Sequence, residues 1–288
     1  MTPKVDSQAV RQAIEVLPLL SPSVTQLLQT LARDGYEIDD VVQIIKYDAA
    51  LTARVLRTVN SPVFGLLNPV TSLERAISYL GERVIISIVL ADQCGDMFTR
   101  PLPGYDAQQS ALWRHDLFCA FASREMAGHA RLACEPGLAF TAGLLHDIGK
   151  FVFSPFWAAA SGEALERIEQ GQVTDYLQAE QLLAGLDHAE VGFAMARHWQ
   201  FPEALQAAIR YHHAPGLAPE QFRMLSYAVH LGDMLAMMAG ADTGSDGMQY
   251  QLDGDYAQYF DVSSQDLAVI MLDAEEHFKK AEASLAVE

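Results

Sequence analysis

Cysteine is scarce: Cys94, Cys119 and Cys134 are the only three in 288 residues. None stands in a Cys-x-x-Cys pair, so neither a disulfide framework nor a thiolate zinc site is expected. They read as small core residues of a reduced protein. Long apolar runs are missing too. No uninterrupted stretch approaches the roughly 20 residues that a bilayer-spanning helix needs, and MTPKVDSQAV lacks the apolar h-region of a signal peptide. No membrane partner is expected, and the chain reads as cytoplasmic. Positive charge is also in deficit, with 19 Lys and Arg against 37 Asp and Glu and a net charge of −18. A duplex-binding surface needs cations to displace counterions from phosphates, so the balance argues against a nucleic-acid partner. A nucleotide or phosphate ligand stays open, because a metal or a local basic pocket overrides the global field.

Strand alternation bounded by hairpin turns is absent, and what remains is helical. Apolar residues recur at three- and four-residue spacing in VTQLLQTLA, VVQIIKYDAALTARVLRTV, SLERAISYLG and VIISIVLADQCGDMF. Ser21-Pro22 puts proline at a first helical position, and Thr71 with Glu74 has capping-box spacing. Gly81 and Gly104 punctuate ends or turns, and Asn60-Ser61-Pro62 ends a helix. The class is all-α. A break at 99–108 precedes LWRHDLFCAFASREMAGHA, which reads as one long helix. The stretch 155–164 reads as a loop or helix junction, and MAGADTGSDGMQ, 238–249, as a mobile connection. Ser263 and Asp266 form a cap-like pair ahead of a closing helix.

Chemistry concentrates in GLLHDIGK, 143–150, which sets His146 beside Asp147 in apolar surroundings. Burying either side chain unpaired is expensive, so something must satisfy them. His115, His188, His212, His213 and Asp233 lie in or beside other helical stretches. Neutral imidazole and carboxylate suit Zn, Mn, Fe or Ni. This set could hold two ions with Asp147 bridging, an arrangement that clamps phosphate and generates a hydroxide nucleophile. Lys150 follows Asp147 by three positions and shares its helix face. It could neutralise a phosphate oxygen or leaving group, or merely satisfy a helix C-terminus near Gly149. His129, His198, His230 and His277 read as surface or interhelical residues. Arg54 and Arg57 read first as an exposed helix face, and otherwise as a contact for an anion or an acidic partner.

The order His115, His146-Asp147, His188, His212-His213, Asp233 resembles the HD superfamily of metal-dependent phosphohydrolases, and these residues match its successive ligand positions. The likeness to the HD-GYP cyclic-dinucleotide phosphodiesterases is incomplete. His213 is followed by APGLAPE with no Gly-Tyr-Pro, and Ala111 stands where some three-metal relatives carry a carboxylate.

The stretch 47–81 closely resembles the opening block of the HDOD family, the regulatory HD-related output domain, through Asp48, Leu51, Thr52, Arg54, Leu56, Asn60, Ser61, Phe64, Gly65 and then PVTSLERAI. The likeness runs from about Leu17 to Asp233. It implies a multi-helix HD-like bundle with an N-terminal helical subdomain (1–105), a metal-binding helical subdomain (106–238), and a linker with a helical tail (239–288). It further implies a bacterial signal-transduction role, such as that of a response regulator, through signalling partners like those of two-component systems. One or two divalent ions (Fe, Mn, Zn or Ni) would sit at the seven residues. The alternative is a two-metal phosphohydrolase acting on a cyclic dinucleotide or related phosphodiester, with Asp147 and Lys150 catalytic. The chain shows no βα alternation of a receiver domain.

Overall fold

The computed structural model describes residues 5–33, 35–60, 69–94 and 96–285. Ser61, Pro62, Phe64 and Gly65 of the family-like block lie outside the described residues, as does the Cys94 side chain. The N-terminal part comprises α1 (Ser7–Glu15), α2 (Pro22–Leu31), α3 (Ile38–Lys46), α4 (Ala49–Val59), α5 (Leu73–Leu80), α6 (Glu82–Cys94) and the short α7 (Asp96–Thr99). A 3-10 turn at Pro103–Tyr105 leads into α8 (Ala111–Ala127), α9 (Pro136–Leu145), α10 (Gly149–Trp157), α11 (Ser161–Glu169) and α12 (Tyr176–Ala184). Then come α13 (His188–His198), α14 (Glu203–Tyr211), α15 (Glu220–Met238) and α16 (Ser264–Leu285). The described residues contain two isolated β-bridges and no strand, so the all-α class holds. No helix among them is long and apolar enough to cross a membrane.

Local chemistry sets the helix starts. Ser21 Oγ accepts from the Val24 amide at 3.3 Å with Pro22 at N1, and Asp48 accepts from Ala50 and Leu51. Ser263 and Asp266 exchange bonds ahead of α16. The α5 cap is Ser72 rather than Thr71, because Ser72 is the extended residue whose hydroxyl reaches the Arg75 amide. Glu74 therefore falls one position too early for a capping box. Asn60, at the end of α4, exchanges two 2.7 Å bonds with the Val70 backbone and donates to Leu56, a structural role. The stretch 155–164 is less of a loop than expected. Pro155 lies inside α10, and the junction to α11 is only 158–160.

Two helices form the centre. α8 packs against α9, α15 and α16, and α15 against α9 and α14 as well. Every residue of α15 from Met224 to Met237 is buried, so the helix is enclosed on all sides rather than amphipathic. His115, Asp116 and Asp233 sit on these enclosed helices. Cys119 is buried on α8 and Cys134 half-buried, both as free thiols.

Candidate metal centre

The chemistry-bearing residues gather at helix ends. His146 is the C-cap of α9, and Asp147 follows in the turn 146–148 that opens α10. The pair thus occupies a junction between two helices rather than a helix interior. His188 starts α13, behind its N-cap Asp187. His212 caps α14 and His213 follows it. Gly149 makes the approach possible: a Cβ there would collide with the His188 carbonyl and the Gly192 amide. Backbone contact between α10 and α13 is what sets Asp147 beside His188.

All seven residues named from the sequence meet at one place, around the Asp147 carboxylate. On its Oδ2 side stand His115 Nε2 at 3.5 Å and His146 Nε2 at 3.6 Å. Asp233 Oδ1 lies 3.1 Å from His115 Nε2 and 3.8 Å from His146 Nε2. On the Oδ1 side stand His188 Nε2 at 3.4 Å and His212 Nε2 at 3.5 Å. His213 joins this second set through a 3.0 Å approach of its Nε2 to that of His188. Asp147 is the member common to two donor groups that could each hold an ion, one with His188, His212 and His213 and the other with His115, Asp116 and His146.

The outer ring nitrogens decide the tautomers. His115 Nδ1 donates to the Ala241 carbonyl at 2.7 Å, His146 to Gly143 at 2.8 Å, and His212 to Ile209 at 2.8 Å. His188 Nδ1 donates to Glu180 Oε2 at 2.7 Å. In the neutral ring each bond leaves an Nε2 lone pair aimed inward, as metal-ligating histidines require. Lone pairs facing a carboxylate repel unless a cation stands between them. Asp147 Oδ1, His212 Nε2, His213 Nδ1 and Asp233 Oδ2 are buried without a hydrogen-bond partner, while Asp147 Oδ2 is paired with Lys150 Nζ at 2.6 Å. The donor types, their convergence and these orphaned atoms fit a divalent transition metal.

Electrostatics follow the same division. Burial opposes ionisation of Asp147, but Lys150 and His146 outweigh it and hold the carboxyl well below its ordinary value. Asp233 is likewise opposed by burial, yet its bond with His115 brings it to about 2. Burial drives His146 down to about 3, and burial with its histidine neighbours lowers His213. In His115 and His188 burial is overridden by Asp233 and Glu180 respectively, and both are raised. Neutral rings suit ligation, and raised ones release a proton when a metal binds.

Lys150 does not satisfy a helix end. Its Nζ contacts Asp147, Asp246 Oδ2 at 2.6 Å and Thr243 Oγ1 at 3.0 Å, with a side chain only 2% exposed. Four further contributors carry no sequence motif. Glu180 Oε2 also accepts from the His188 amide at 3.0 Å, and its Oε1 accepts from Tyr105 Oη at 2.7 Å. Tyr250 stacks on His213 with ring centroids 4.0 Å apart. Asp116, adjacent to His115, lies 3.6 Å from His146 Nδ1 and belongs to the donor group of His115, His146 and Asp147, a candidate ligand absent from the seven read in the sequence. Burial pushes its carboxyl well up, which matches its two unpartnered oxygens once one is protonated. Only its adjacency to His115 could have signalled it.

The connection 238–249, read from composition as mobile, is packed onto this centre through Ala241, Thr243 and Asp246. Three of the histidines set aside serve structure. His230 is fully buried, donating from Nδ1 to the His212 carbonyl and accepting the Asp253 amide on Nε2. His198 bonds the Leu17 carbonyl, and His277 stacks on Phe121. On α4, Arg57 is exposed and Arg54 half-buried.

Comparison with known proteins supplies the relationship. An uncharacterised protein of Treponema pallidum (strain Nichols) is 24% identical over 241 residues, 82% of this chain and 45% of that protein. The chain therefore spans less than half the length of that relative. The fold is shared with an HDOD domain protein of unknown function from Geobacter sulfurreducens, with a TM-score of 0.68 and 23% identity. That match covers 98% of this chain and all of the other. A Marinobacter aquaeolei VT8 chain, described provisionally as a signal transduction protein, matches with a TM-score of 0.72 and 18% identity. It covers 98% of this chain and 66% of that one. The HDOD domain pattern itself spans residues 17–215. The chain belongs to the HDOD domain family.

Proposed function

We propose that this chain is a bacterial signal-transduction regulator that binds one or two divalent transition-metal ions (Fe, Mn, Zn or Ni) at His115, His146, Asp147, His188, His212, His213 and Asp233. It acts through a signalling protein or a small ligand, not through efficient turnover. The observation that carries the metal is the set of four imidazoles whose Nδ1 protons are already committed outward. A bound ion would supply the positive charge that the inward lone pairs and carboxylates need. Against turnover stands the burial of the cluster, whose seven side chains are each 5% exposed or less. Metal analysis of protein purified without chelator tests the reading. Wild type should retain metal and Asp147→Ala should lose it; equal, negligible metal in both sinks the proposal.

A second reading, a two-metal phosphohydrolase, is favoured by Asp147 standing between two donor groups. Such ions could polarise a phosphodiester and ionise a water. In that reading Asp147 holds the ions together and Lys150 meets the developing charge. Fast metal-dependent hydrolysis of a cyclic dinucleotide, lost in Asp147→Ala, would establish it over the regulatory one.

A further inference from the structure

The segment 241–250 is built into the metal centre at every step. The Ala241 carbonyl accepts His115 Nδ1–H. Thr243 Oγ1 accepts from Lys150 and donates to Asp246 Oδ1 at 2.7 Å. The Ser245 amide donates to the Tyr105 carbonyl at 2.6 Å. Gly244 is required there: its φ is +129°, and a Cβ would strike that same carbonyl oxygen. Tyr250 donates to Asp246 Oδ2 at 2.9 Å while its ring covers His213. Asp246 is thereby held rigidly, 1% exposed, with its Oδ2 on Lys150.

Lys150 has three ammonium protons, and the structure gives it three oxygen partners: Asp147, Asp246 and Thr243. The Tyr105 and Tyr250 rings flank it with centroids at 5.3 and 5.4 Å. A metal would draw on the Asp147 carboxylate, leaving Asp246 as the principal counter-charge of Lys150. A carboxylate oxygen on a lysine ammonium has the charge and hydrogen-bonding capacity of a phosphate oxygen on the same group. We propose that residues 241–250 are an internal cover in which the Asp246 carboxylate occupies, on Lys150, the place of a phosphate oxygen. The centre is then closed to phosphate-bearing ligands until the cover is displaced.

This rests on the reading of the cluster as a metal site with Lys150 at its rim. Its consequence is specific: removing one charge from the cover opens an anion site that the wild type does not offer. The test is calorimetric titration of the full chain with inorganic phosphate, with metal content measured in the same samples. Wild type should show no saturable binding. Asp246→Asn, nearly isosteric, should bind phosphate saturably, at least about tenfold more tightly than the weakest binding the titration detects, and adding Lys150→Met should abolish that gain. Should Asp246→Asn not fold, Tyr250→Phe, which removes only the hydroxyl bonded to Asp246, should show the same gain in weaker form. Phosphate binding by wild type as tight as by the variant overturns the cover. So does a folded, metal-retaining variant that binds no phosphate. Absence of metal from every sample instead removes the underlying metal reading, so the two failures are distinguishable.

Discussion

Lys150 and Asp246 form a 2.6 Å ion pair in which neither side chain is more than 2% exposed. Removing one partner from such a pair leaves an uncompensated buried charge, which costs far more than the pair itself contributes. Lys150→Met should destabilise the metal-free protein by about 3 kcal/mol, read from urea denaturation. Lys150→Met with Asp246→Asn should recover much of that loss, and a double-mutant cycle isolates the coupling. Simple additivity of the two changes would mean that the pair contributes nothing specific.

Glu180 fixes His188 through both the ring and the backbone amide. Glu180→Gln keeps the volume but replaces an anionic acceptor on Nδ1 with a neutral one. Partners of this kind typically tune metal affinity by about 10- to 100-fold. A loss of that size is expected in competition with a chromogenic chelator, with helical content unchanged. Unaltered affinity would reduce Glu180 to a packing residue.

His230 offers the contrast. It bonds the His212 carbonyl and the Asp253 amide, and both nitrogens are spent on those contacts. His230→Ala should cost about 1–3 kcal/mol through the unsatisfied buried groups, while metal stoichiometry stays that of wild type. Loss of metal at unchanged stability would reverse the assignment.

Acid should unfold the metal-free protein through its carboxylates. Asp233, ordinarily near 3.8, sits at about 2 in the fold. Because its folded pKa is depressed, its contribution is complete above 3.8 and lost as the pH falls through about 2. Asp147 acts in the same direction. The neutral His146, at about 3, adds a loss that begins below the ordinary histidine value of 6.5. The raised His115 and His188 contribute in full below 6.5 and lose that stability only as the pH rises above it, so the carboxylates add to the His146 loss at the acid end. Stability measured in chelator should therefore fall most steeply below pH 4; an equally steep fall between pH 5 and 7 would contradict the balance.

How much was legible in the chain depended on what each feature needs. Helix starts such as Ser21-Pro22 and Asp48 are local, settled by one hydroxyl or carboxylate within three residues, and so could be read directly. Thr71 misled because two adjacent hydroxyls compete for one cap, and backbone extension at Ser72 decides between them. Pro155 misled because a proline near the end of a helix leaves only one carbonyl without its donor.

The sequence by itself determined the all-helical class and the seven-residue His/Asp set, because apolar period and residue chemistry are properties of the chain. Only the tertiary structure decided that the set shares one Asp147 carboxylate, since that needs α8, the α9–α10 junction, α13, α14 and α15 to converge. It alone decided the roles of Glu180, Tyr105 and Asp246, which lie in no motif and act through bonds to residues far along the chain. Composition makes 238–249 look mobile because glycine and aspartate are rich in turns. Burial of Thr243 and Asp246 against a lysine makes it part of the centre instead.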